Sequence, residues 1–112
     1  MSLCTDKNLK DLKKAYKKRR IFKIELSEDT FTLICEILKN LNEKKRFRRC
    51  LPKEVIKKKK KFDNFIDKII DRKTDVEMRK KMFTELSKSS FKKWIFELIK
   101  SFYKRCLNVM NE

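Results

Sequence analysis

Residues 51–81 read LPKEVIKKKKKFDNFIDKIIDRKTDVEMRKK. Val55, Ile56, Phe62, Phe65, Ile66, Ile69 and Ile70 recur there at three- and four-residue steps, the spacing that lines one face of a helix. Pro52 stands where proline is tolerated, in a first helical turn, with Glu54 close behind it. The ladder predicts a helix from Pro52 to about Arg72, with Lys57, Lys58, Lys60 and Lys61 fanned outward. Lys59 falls nearer the apolar face, where its stem can pack while its ammonium reaches water. Thr74 and Glu77 have the spacing of a capping box, so a break is expected at Arg72 to Lys73 and a new helix after it. That helix would bury Val76, Met78, Met82, Phe83 and Leu86; one long uninterrupted helix is the alternative.

The same logic extends to both ends. Ser27, followed by Glu28 and Asp29, is a helix start, and Phe31, Ile34, Cys35, Leu38 and Leu41 follow at helical spacing. Before it, Leu9, Leu12, Ala15 and Tyr16 mark a short helix capped by Thr5 or Asp6. Residues 21–26 read as an extended connector that buries Phe22 or Ile24. After Ser87, Ser89 and Ser90, which make a turn or cap, Phe91, Trp94, Ile95, Leu98, Ile99, Phe102, Cys106 and Leu107 form a stripe that Phe96 and Tyr103 widen. That width puts the last helix at the centre of the bundle. The chain has no glycine and one proline, which disfavours tight hairpins and sheets. The expected fold is all-α, a compact bundle of four to five amphipathic helices. The 112 residues are expected to form a single domain with a mobile basic N-terminal segment, 1–20.

Charge dominates the composition. Lys and Arg total 33 against 16 Asp and Glu, a formal net charge of +17. So large an excess attracts phosphates, whether selection or the codon bias of an AT-rich genome produced it. The basic residues cluster: Lys17, Lys18, Arg19 and Arg20; Lys44, Lys45, Arg46, Arg48 and Arg49; Lys57, Lys58, Lys60 and Lys61; and Arg79, Lys80 and Lys81. These are the candidate nucleic-acid-binding residues. Lysine outnumbers arginine, which favours contact with the phosphate backbone over bidentate reading of bases. A helix-turn-helix is disfavoured, because the basic segment between the second and third helices is longer than the usual turn and has no glycine.

Catalytic chemistry has little to work with. There is no histidine for acid–base relay and no glycine for a phosphate cradle, so no enzyme is expected. Cys4, Cys35, Cys50 and Cys106 lie far apart without a CxxC pair, and read as small apolar residues in a reduced, intracellular protein. Asp63, Asp67 and Asp71 repeat every fourth residue, but with lysines beside them they read as a solvated helix face. No metal or cofactor is expected.

From Leu51 to Met82 the chain resembles the small, very basic proteins of Maverick/Polinton-type elements and adintoviruses. The residues that carry the resemblance are KKKKKFDNFIDKIIDRK followed by the threonine-headed TDVEMRKKM. Those proteins are presumed virion components like adenovirus minor core proteins, so the resemblance implies a basic, helical, DNA-condensing virion component. The glycine pair that usually follows the basic segment in them is absent here.

The expected function is therefore non-enzymatic binding of nucleic acid, DNA over RNA, through phosphates and with little sequence preference. The alternative is a helical interaction module, a viral or parasite accessory protein, with a protein partner or a second copy bound at Phe96, Tyr103 and Met110 of the C-terminal helix. A membrane partner ranks below both. Nucleus or virion is the expected location for a eukaryotic or viral chain.

Overall fold

Ser27 stops the connector and starts the helix around which the others assemble. In the computed structural model, which describes residues 6–23 and 25–106, its backbone is extended (φ −65°, ψ 152°) and its hydroxyl accepts the Thr30 N–H at 3.2 Å. Glu28 and Asp29 occupy the positive end of the helix dipole. Helix α2 (Glu28–Glu43) buries Phe31, Leu33, Ile34, Ile37, Leu38 and Leu41, more than one face can hold, because it packs against several neighbours at once. The central position thus belongs to α2 as much as to the last helix. Cys4, Thr5, Ile24, Leu107, Met110 and the side chain of Cys106, which entered the sequence expectations, lie outside the described residues.

Helix α1 (Asp6–Lys17) lies against α2 and buries Asn8 and Leu12, with its lysines exposed. Its end is a Schellman turn: Arg20 N–H donates to Ala15 O at 2.8 Å and Arg19 N–H to Tyr16 O at 3.1 Å. Arg19 adopts φ 55°, the left-handed position that glycine usually fills, and this chain has no glycine. Turn bonds from Lys23 N–H to Arg20 O and from Leu26 N–H to Lys23 O then carry the chain to Ser27. The connector is thus a set of turns. It buries Ile21 completely and Phe22 by half, with the Phe22 ring stacked on Phe83 at 4.6 Å.

A helix the pattern does not announce follows α2. Helix α3 (Lys45–Arg49) has the sequence KRFRR, and its one apolar residue, Phe47, is fully buried 6.2 Å from the Phe102 ring. Five residues are too few to display a period.

The stretch 52–72 is not one helix. It divides into α4 (Lys53–Lys59), a 3₁₀ turn (Lys60–Phe62) and α5 (Asp63–Ile70). A 3₁₀ residue advances about 20° further than an α-helical one, so three of them rotate the following face by about 60°. α4 accordingly packs on α7 (Ser89–Ser101), where the Trp94 indole N–H donates to Val55 O at 2.9 Å, while α5 turns Ile66 and Ile69 toward α2. Phe62 and Phe65 meet Phe91 edge-on across that joint.

The expected break after α5 is present, but not as a capping box. Asp71 closes a turn, accepting Lys73 N–H on its carboxylate and Thr74 N–H on its carbonyl, and Asp75 is the cap residue of α6 (Val76–Glu85), with no side-chain cap bond. Only Arg79 and Phe83 of α6 are buried; Val76 and Met82 are half-buried, and Met78 and Leu86 are 54% and 65% exposed. The expected apolar stripe is corrected accordingly: α6 meets the core along the narrow row through Arg79 and Phe83, one turn apart. Ser87 donates to Phe83 O and ends α6. α7 buries Phe91, Trp94, Ile95, Leu98 and Ile99 and continues as a π-helical turn (Phe102–Cys106). Among the described residues the fold is all-helical.

Candidate nucleic-acid interface

Most of the candidate cations reach solvent. Lys17, Lys18 and Arg20 are exposed where α1 ends, and Lys18 and Arg20 share a shallow cleft with Lys14 and Lys23 beside the start of α2. Lys23 was not singled out in the sequence, because it lies in the connector outside any run of charges. Asp11 and Glu25 line the same cleft and temper its potential. Lys44, Lys45, Arg46 and Arg49 are exposed on and before α3. Lys57, Lys58, Lys60 and Lys61 are exposed over the end of α4 and the 3₁₀ turn, so the lysine block follows a bend and not a straight ridge. Lys81 is exposed and Lys80 half-buried on α6.

Ion pairing removes few of these charges. Lys58 faces Glu97 at 3.7 Å with both side chains partly exposed, a long contact that contributes little. Lys59 packs its stem and pairs with Asp63 one turn on, as its place near the apolar face implied. Lys17, Lys18, Arg20, Lys44, Lys45, Lys57, Lys60 and Lys61 have no carboxylate within ion-pair distance among the described residues.

Three arginines have other work. Arg79 is 8% exposed; its Nε donates to Thr74 O at 3.1 Å and its Nη1 to Ile69 O at 3.2 Å. It ties the end of α5 to the start of α6 and is withdrawn from the set that could follow a nucleic-acid backbone, a correction to the expected cluster. Arg48 is half-buried and donates to Leu41 O at 3.2 Å and Asn42 O at 2.8 Å, satisfying carbonyls that the end of α2 would otherwise leave open. Arg19 holds its guanidinium 5.6 Å from the Phe96 ring centroid. Periodicity cannot distinguish such arginines from solvated ones, since each is fixed by a contact distant from its own helix face or by the turn it closes.

The C-terminal aromatics are also engaged. Phe96 lies against Tyr16 and Phe22, and the Tyr103 hydroxyl donates to Leu9 O, so the width of the α7 stripe is taken up by α1 and the connector. No helix among the described residues is long and apolar enough to cross a membrane. Cys35 is buried beneath α5 with its thiol toward Ile69 O; burial pushes its pKa up to about 12, an effect that Arg79 partly offsets, so it stays protonated at neutral pH. Asp63 and Asp71 are used by Lys59 and by the turn before α6, and among the described residues no group of three acidic or cysteine ligands is placed to hold a metal. No protein family, curated protein or solved structure matches the chain.

Proposed function

We propose that this protein binds nucleic acid through its phosphates, without catalysis and with little sequence preference. The observation that carries the reading is the set of exposed lysines, from Lys17 and Lys18 through Lys44 and Lys45 to Lys57, Lys60 and Lys61, left without acidic partners on a helical body of net charge +17. Such cations release condensed counterions from a duplex when they bind, and lysine ammoniums make point contacts that do not depend on base sequence. The helical, lysine-rich segment 51–82 is in keeping with a DNA-condensing role of the kind its resemblance implies. DNA is favoured over RNA on that ground alone.

The test is charge reversal. Lys57→Glu, Lys60→Glu and Lys61→Glu together should weaken binding to duplexes of unrelated sequence by the same factor, with the helical circular-dichroism signal retained and no loss of Tm, since the change relieves self-repulsion. Unaltered affinity in this variant, or a loss confined to one sequence, would count against the reading.

A second reading, a protein partner, draws on the exposed Met78 and Leu86 of α6. It loses its earlier basis in Phe96 and Tyr103, which are engaged within the fold.

A further inference from the structure

A cleft of about 410 Å³ opens between α2, the end of α5 and α6, within the size range of small-ligand sites. Arg79 and Asn40 line it, and both are more than nine-tenths buried, at 8% and 7% exposure. Two of the Arg79 nitrogens, Nε and Nη1, are held by Thr74 O and Ile69 O; Nη2 makes no hydrogen bond among the described residues, nor does the Asn40 side-chain amide. Among the described residues no buried side-chain nitrogen or oxygen is left without a partner and without solvent. The spare donors of Arg79 and Asn40 therefore reach solvent, and for groups this buried that solvent lies in the cleft they line. Lys39 and Arg72 add two further cations.

We propose that this cleft is a site for a single phosphate group, with the Arg79 guanidinium as its fixed donor and Lys39 and Arg72 as its cationic rim. Two carbonyls already hold the guanidinium in place, so binding orders no long side chain there, and guanidinium donors in a partly desolvated site suit a phosphate oxyanion. Glu36 and Glu43 also line the cleft. Their charge opposes a long polyanion running through it, so the ligand proposed is a single phosphate beside Arg79. The ligand class is thus a terminal phosphate group, supplied either by inorganic phosphate or the phosphomonoester of a free nucleotide or by the terminal phosphate of a strand. The site is separate from the exposed lysines that would follow a duplex backbone and does not depend on them.

The test observes the Arg79 Nε–H resonance by NMR while the full chain is titrated with inorganic phosphate, with adenosine monophosphate and with adenosine. Phosphate and the nucleotide should shift that resonance saturably, and adenosine should not. Replacing the exposed or half-exposed rim by Lys39→Ala and Arg72→Ala, which spares the buried Arg79, should weaken phosphate binding by about tenfold or more. A short single strand carrying a 5′-phosphate, compared with the same strand ending in a hydroxyl, separates the two sources: a shift specific to the phosphorylated strand assigns strand ends, and a response to free phosphate or nucleotide alone assigns the small ligand. An Arg79 resonance that phosphate, nucleotide and phosphorylated strand all leave unmoved, or phosphate affinity unchanged in the rim variant, overturns the proposal. Neither result bears on duplex binding, which the lysine reversal above measures independently.

Discussion

At the scale of single residues, the absence of glycine leaves a measurable mark at Arg19. A left-handed residue other than glycine costs about 1 kcal/mol or more, and the cation–π contact with Phe96 returns about 0.5–1 kcal/mol. Arg19→Ala keeps the backbone cost and loses the contact, whereas Arg19→Gly removes the cost. Urea unfolding should therefore place Arg19→Gly above Arg19→Ala by about 1 kcal/mol, with the parent chain close to the glycine variant. Cys35 makes a second prediction. Its thiol is protonated in the fold up to about pH 12 but ionises in the unfolded chain near its ordinary value of 9.0. Between those values the native state binds more protons than the unfolded state, so this group's contribution to stability is full below pH 9.0 and falls as pH rises toward about 12. Stability of the parent minus that of Cys35→Ala, followed from pH 8 to pH 11, should decline along that window; a constant difference contradicts the burial of the thiol.

At the scale of elements, Arg79 is the tie between α5 and α6. Removing it strips charged hydrogen bonds from two backbone carbonyls, so Arg79→Ala should cost about 2–3 kcal/mol in chemical denaturation. Arg79→Lys should recover only part of this, because one ammonium cannot reproduce the guanidinium fork. The elements differ in how plainly the residues announce them. Ser27 with its acidic first turn and the row Phe31, Ile34, Cys35, Leu38 and Leu41 made α2 readable, since cap and period agree. The ladder of 55–70 was readable as apolar spacing but not as a bend: the 3₁₀ turn at Lys60–Phe62 answers to α7 on one side and α2 on the other, and neither is local. Phe47 is a lone apolar residue among charges, buried against Phe102 far along the chain, and Ile21 stands beside Phe22 in a set of turns with no helical period, so neither is marked as core by spacing. Met78 and Leu86 show the converse. They fitted an apolar stripe, yet α6 meets the core through Arg79 and Phe83. On the site, the lysines of the α1 end and Lys57, Lys58, Lys60 and Lys61 were legible as solvent-facing charge, whereas the buried roles of Arg79 and Arg48 depend on open carbonyls that sequence does not display.

At the scale of the whole molecule, charge dominates: the packed helices hold an excess of cations that their own carboxylates do not neutralise. Self-repulsion of that kind weakens with ionic strength, so moderate salt should raise Tm in the absence of any ligand, and a Tm that falls or stays level from low to moderate salt would speak against it. The same charge sets the behaviour toward a duplex. The most direct measurement is the equilibrium affinity for a random-sequence DNA duplex over a series of salt concentrations. The account predicts a straight, steep fall of log K with log salt, with a slope of about −0.9 for each phosphate neutralised, nearly independent of sequence and reduced by about one unit for each contacting lysine removed. No binding at low salt, or an affinity that salt leaves flat, would contradict it.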